Sequence, residues 1–169
     1  MKAIACLLFI ILALAAPAAA AEVTIVALGA SNTYGKGVAR GQDYPAQLQA
    51  MLGARGYAAR VINAGINGDT TGGMASRLDS AVPAGTRVVI LQPGGNDRRK
   101  GEAAGREGNI SAIVARLNAR GIKVVMLDRL LAGTSPQLLQ PDGKHFTAEG
   151  HRALAARVLP KVIAHIGGR

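Results

Sequence analysis

The chain has one cysteine, no tryptophan and only 3% aromatic residues. A single cysteine excludes a disulfide scaffold. So few aromatics argue against the stacking platforms that bind single-stranded nucleic acid, and they leave Ala, Val, Leu and Ile to fill a core. Acidic residues are scarce too, 10 against 20 lysines and arginines, for a formal net charge of +10. The 22 glycines follow no three-residue period, which excludes collagen. No His, Asp and Glu set has metal-ligand spacing, and no linker, repeat or low-complexity segment divides the chain. With 49% hydrophobic residues over 169 positions, what remains is a single globular domain.

The long hydrophobic run is confined to the N-terminus. Met1-Lys2 is a short positive start, residues 3–16 are unbroken apolar, Pro17 interrupts, and four alanines follow. This is the pattern of a secretory signal peptide over residues 1–21, leaving residues 22–169 as the domain. An uncleaved anchor is the alternative, but the run is shorter than the roughly 20 residues a membrane span needs. Cys6 falls inside the leader, too early for a lipoprotein cysteine, so the mature chain has no thiol and thiol catalysis is excluded. Export predicts a periplasmic or secreted location in a bacterial source. Loss of Lys2 lowers the formal charge from +10 to +9. That charge favours weak attraction to anionic lipid or glycan surfaces, whereas no motif supports nucleic-acid binding. The basic residues are scattered; the densest group, Arg98-Arg99-Lys100, reads as a solvated loop.

Strand and helix patterns alternate along the rest. Residues 23–28 form an apolar, β-branched run ending at Gly29, the mark of a buried strand. Residues 59–63, 87–91 and 123–127 repeat the pattern. Asp43 and Pro45 predict a helix start, with Leu48, Met51 and Leu52 on its apolar face. A short helix is expected over residues 74–78. Ile110, Ile113, Val114 and Leu117 have the spacing of one buried helical stripe. Thr147 is placed to cap a final helix carrying Leu154, Val158, Val162 and Ile166, which Pro160 should kink or divide. His151 and His165 on that helix read as surface or packing residues. The alternation predicts an α/β fold with a parallel sheet covered on both faces, and such sheets bind ligands at the carboxyl ends of their strands.

Those strand ends hold the polar residues. Ser31, in Gly29-Ala30-Ser31-Asn32, follows the first strand directly. Thr33 rules out the G-x-S-x-G elbow, and the phosphate-loop and dinucleotide patterns fail here too. The second strand leads into Asn67-Gly68-Asp69-Thr70, and the third into Gly94-Gly95-Asn96-Asp97. Glycine lets N–H groups face a ligand, and an asparagine amide can donate to a developing oxyanion. Asp142, in Asp142-Gly143-Lys144-His145, can reach the imidazole Nδ1–H if the loop turns, leaving Nε2 as a base. Taken singly, each of these also reads as an ordinary turn or cap.

Their order along the chain resembles that of the SGNH hydrolases, also called GDSL esterases and lipases. The similarity covers nearly all of the domain and is strongest to the small bacterial thioesterase I, lysophospholipase and arylesterase branch. It implies a flavodoxin-like three-layer α/β/α sandwich. It also implies a catalytic triad of Ser31, His145 and Asp142, and an oxyanion hole from the N–H groups of Ser31 and Gly68 and the Asn96 amide. No metal or organic cofactor is implied. The substrate would be a small acyl ester or thioester, cleaved through an acyl-enzyme. Two departures stand out. Ala30 occupies the position of the usual aspartate of the Gly-Asp-Ser motif, which predicts reduced or retuned activity. The segment between Asn96 and Asp142 is also short, so a helix and a fifth strand are expected to be missing. Four strands and a site open on that side are expected, with residues 130–140 covering the edge. A glycan O-deacetylase, a non-catalytic carbohydrate- or lipid-binding protein on the same fold, and a nucleotide-binding flavodoxin-like protein are the alternatives. The failed phosphate motifs disfavour the last.

Overall fold

A computed structural model describes residues 21–131 and 133–167; the leader reading lies outside the described residues. The strands are β1 (Val23–Gly29), β2 (Ala59–Gly65), β3 (Thr86–Gln92) and β4 (Lys123–Met126). The helices, in chain order, are α1 (Ser31–Tyr34), α2 (Tyr44–Gly53), α3 (Thr71–Ser76), α4 (Leu78–Ala81), α5 (Asn96–Arg99), α6 (Arg106–Ala119), α7 (Asp128–Leu131) and α8 (Ala148–Ile166). All four strands pair in parallel, in the order β2-β1-β3-β4. This is the flavodoxin-like order without its last strand.

Strand periodicity builds two cores, one on each face of the sheet. Ile25 and Ala27 of β1, with Val88 and Ile90 of β3, face α2 and α8, where Leu48, Leu52, Leu154, Val158 and Val162 complete one cluster. Their alternates, Val26, Leu28, Val89 and Leu91, face Met74, Leu78, Ile113 and Leu117. Each fully buried aliphatic side chain contributes about 1.5–3 kcal/mol relative to exposure. Because β1 is buried on both faces, its run is continuously apolar rather than alternating.

The helices start where their caps stand. The Asp43 carboxylate accepts from Ala46 N at 3.1 Å, and Thr147 Oγ1 accepts from Gly150 N at 3.0 Å. The structure departs from expectation at Pro160, which lies inside an undivided α8. Proline removes the N–H that would bond the Ala156 carbonyl, but Ala156 and Pro160 are both exposed, so water can take that bond. Apolar residues buried on both sides of Pro160 hold the helix against the sheet. His151 is a packing residue, fully buried against the edge of Phe146.

At the far side of the sheet no strand among the described residues pairs with the outer edge of β4. The groove there is lined from α6 and α8, by Arg106, Ile110, Lys161 and His165 among others, and residues 131 and 133–140 are not in its lining. That segment instead runs back to the start of α8. There Leu138 O accepts from Thr147 N at 3.0 Å, and Leu139 bridges Phe146.

Candidate active site

From β1 the chain goes first outward to β2, then back across to β3 and β4. The crevice at such a reversal lies beyond the carboxyl ends of β1 and β3. Ser31 follows β1 and Asn96 follows β3.

Ser31 is the first residue of α1, a single turn held by Thr33 N and Tyr34 N donating to Ala30 O at 3.1 and 2.9 Å. A residue at this position has no intrahelical acceptor for its N–H. Gly29 and Gly65, at the ends of the paired strands β1 and β2, let this turn sit directly on the sheet. A Cβ on Gly29 would strike Thr33 Oγ1, and one on Gly65 would strike Tyr34 N. Ala30 is 1% exposed and packs in the core beside Leu28 and Leu91. The turn is fixed from beneath by Gln92, whose Oε1 accepts from Ala30 N at 3.0 Å and from Thr33 Oγ1 at 3.2 Å.

The loop before α8 carries the other two groups. Gly143, at φ +63°, turns the chain back. Asp142 Oδ1 then accepts from the backbone N–H of both Lys144 and His145 at 2.9 Å. The other oxygen, Oδ2, pairs with His145 Nδ1. On the far side of the ring, His145 Nε2 lies 3.0 Å from Ser31 Oγ. The bond from the His145 N–H, then that from its ring, then that from Lys144, hold the Asp142 carboxyl far below the usual carboxylate range. These bonds favour the ionised carboxylate over the acid. The His145 side chain is 9% exposed, while the Asp142 side chain is 43% exposed. Two side chains clamp the loop to α1 and the residues just after it. Asn32 Nδ2 donates to Lys144 O at 3.1 Å, and Gln140 Nε2 donates to Lys36 O at 2.8 Å.

Asn96 opens α5 and is 3% exposed. Its amide donates to Asp69 O at 2.7 Å, and its Oδ1 accepts from Arg99 Nη2. One amide hydrogen remains for a ligand. Asp69 is held in turn by Arg77, whose Nε donates to Oδ2 at 2.9 Å and whose Nη2 donates to Ala64 O at 2.9 Å. Buried Asp97 accepts from Thr71 N at 3.1 Å and from Thr71 Oγ1, tying the loop after β3 to the one after β2. Gly68 sits in the turn after β2 at φ +79°, a conformation that favours glycine. Its N–H has no acceptor among the described residues.

A cavity of about 390 Å³ joins these parts. Ala30, Ser31, Asn32, Gln92, Asn96 and His145 line it, together with Arg98, Arg99 and Lys144. Ser31, Asp142, His145 and Asn96 thus come together as their order along the chain predicted, whereas Gly68 is outside the lining. Sequence reasoning missed Gln92, Asn32 and Arg77. The one available signal was for Gln92, a polar residue closing an otherwise apolar strand. The solvated-loop reading of Arg98 and Arg99 is half right: both are exposed, but they also line the cavity.

Residues 27–141 match the GDSL-like Lipase/Acylhydrolase family, with Asp142 and His145 just beyond the matched segment. The chain is 30% identical over 155 residues to Esterase TesA of Pseudomonas aeruginosa, spanning 88% of this chain and 75% of that protein. A crystal structure of TesA shares the fold with a TM-score of 0.75 at 24% identity, over 85% of this chain and 99% of that one. AlinE4, an SGNH-hydrolase family esterase, gives a TM-score of 0.60 at 26% identity, over 88% of this chain and 98% of its own. On these matches, and on a flavodoxin-like sheet with a serine and a histidine in contact at its switch point, the chain belongs to the GDSL-like lipase/acylhydrolase family and is an ester hydrolase.

Proposed function

We propose that Ser31 is the nucleophile of a serine esterase acting on small acyl esters or thioesters. The observation that carries this reading is the unbroken hydrogen-bond chain from Asp142 through His145 to Ser31 Oγ. Ser31 Oγ attacks the carbonyl carbon as its proton passes to His145 Nε2, and Asp142 stabilises the imidazolium. The Ser31 and Gly68 N–H groups and the free Asn96 amide hydrogen stabilise the tetrahedral oxyanion. The intermediate collapses as His145 protonates the leaving alcohol or thiol. Water, deprotonated by the same imidazole, then releases the acid and restores Ser31. The modest cavity, with no long apolar tunnel in its lining, suits short acyl groups.

The test is hydrolysis of p-nitrophenyl acetate and butyrate by the purified protein beside Ser31→Ala. Turnover that vanishes in the variant is expected; equal rates in both would overturn the assignment. Asn96→Ala should lower kcat by roughly 10² to 10³. An unchanged kcat would remove Asn96 from the oxyanion hole.

The same machinery serves a glycan O-deacetylase, a reading favoured by the small cavity and the basic charge, and acetate release from acetylated xylan would support it. Residues 1–21 act in this reading as a cleaved signal peptide that delivers residues 22–169 to the periplasm or medium. N-terminal sequencing of the exported protein should begin at Glu22.

A further inference from the structure

Four arginines outside the lining of the active-site cavity are held in ion pairs with aspartates. Arg77 is paired with Asp69, Arg106 with Asp128, and Arg116 and Arg120 with Asp79. At the active-site cavity the lining holds no such pair among the described residues. Arg98, Arg99 and Lys144 line it, and no aspartate or glutamate among the described residues does. Arg99 is turned onto Asn96 Oδ1. The Arg98 guanidinium and the Lys144 ammonium have no hydrogen-bond or ion-pair partner among the described residues. Nearby carboxylates are engaged elsewhere: Asp142 by His145 and the Lys144 N–H, Asp97 by Thr71, and Asp69 by Arg77. Two unpaired cations therefore face a concavity that also holds the nucleophile. Concave walls focus such a field and raise the local concentration of an anion.

The position of Lys144 says which part of a substrate feels it. The leaving group must reach His145 Nε2 to collect its proton, and Lys144 is the adjacent residue on the same loop. Arg98 lies two residues beyond Asn96, in the single turn that Asn96 opens.

We propose that this enzyme selects esters and thioesters whose leaving group carries an anion, a carboxylate or a phosphate, and that Arg98 and Lys144 confer the preference. This rests on Ser31 as nucleophile. The reaction is unchanged: the acyl–oxygen or acyl–sulfur bond breaks, and the released alcohol or thiol keeps its anionic substituent.

The experiment compares kcat/KM for 4-acetoxybenzoate and 4-acetoxyphenyl phosphate with that for neutral 4-acetoxybenzamide, each divided by its rate with hydroxide. The native protein should favour at least one anion by about tenfold at low ionic strength, with the preference shrinking as salt is added. The preferred anion identifies carboxylate or phosphate as the group recognised. The double variant Arg98→Gln with Lys144→Gln should bring the ratio close to one, and Arg98→Glu with Lys144→Glu should invert it. Reading a ratio within each protein cancels any general loss of activity. Ser31-dependent hydrolysis of the amide-bearing ester with no anion preference overturns the selectivity alone. A preference that survives the charge reversal also overturns it. No Ser31-dependent hydrolysis of any of the three overturns the nucleophile assignment and the selectivity together.

Discussion

Gln92 shows how a single side chain sets the geometry of the turn that carries Ser31. It is 3% exposed, and its one carbonyl oxygen serves two donors, Ala30 N–H and the Thr33 hydroxyl. Gln92→Leu would keep the volume, leave the buried Ala30 N–H without an acceptor and leave the Thr33 hydroxyl only its 3.4 Å contact with Tyr44 Oη. Such a loss costs about 1–3 kcal/mol, so denaturant unfolding should show a loss of that order, and kcat should fall as Ser31 drifts from His145. Ala30 belongs to the same account. A side chain at this position enters the apolar core beside Leu91, and the turn is held through the backbone of residue 30 rather than through its side chain. The motif serine, asparagine, aspartate and histidine could be read from sequence because each follows or precedes a recognisable element. Gln92, Asn32 and Arg77 could not, because their roles consist of partners 59 to 112 positions away or of carbonyls on neighbouring strands. Nothing local marks such a pairing.

Among the elements, α1 and α2 make opposite demands on glycine. At Gly65 a Cβ would meet the Tyr34 backbone nitrogen, which cannot yield without lifting α1 off the sheet. Gly65→Ala should therefore destabilise by about 1–3 kcal/mol and reduce kcat, since Ser31 rides on α1. Gly53 ends α2 with open space around its absent side chain. Gly53→Ala should stabilise by about 0.5–1 kcal/mol, mostly by restricting the unfolded chain, with kcat unaffected. Thermal melts of the two variants should move in opposite directions. The α8 helix carries the corresponding lesson about proline. Local propensity predicts a break at Pro160, but burial of Leu159 and Val162 on either side outweighs one missing hydrogen bond at an exposed carbonyl.

Over the whole molecule, pH acts on stability through a residue outside the Ser31–His145–Asp142 hydrogen-bond chain. His151 is fully buried in α8; its Nδ1 accepts from Tyr44 N at 3.2 Å, and its Nε2 has no partner among the described residues. Burial first, then the nearby His145, lowers its pKa to about 4 against the opposing pull of Asp43. The unfolded chain binds a proton at about 6.5 that the folded chain refuses until about 4. Stability from this site is therefore complete above pH 6.5 and is lost as pH falls toward 4, by up to about 3 kcal/mol. Urea midpoints measured across that window should fall steadily. In His151→Gln, which keeps an acceptor for Tyr44 N without titrating, that slope should disappear. The outer edge of β4 is the other molecular feature. Where a fifth strand would lie there is a groove whose lining includes Arg106, Glu107, Asp128 and Lys161, and charged side chains at an edge deter edge-to-edge pairing.

The sequence by itself determined the four strands, their parallel arrangement and the reactive residue types at their ends. Apolar β-branched runs bounded by glycine are local signals that survive folding unchanged. Only the tertiary structure decided that residues 133–140 do not line the groove at the β4 edge, that α8 continues through Pro160, and that Gln92 and Asn32 brace the site. It also turned Arg98 and Lys144, scattered cations along the chain, into unpaired charges facing one cavity. Those outcomes depend on which distant segments meet, and contact across a fold is set by the packing of whole elements rather than by any residue's neighbours in sequence.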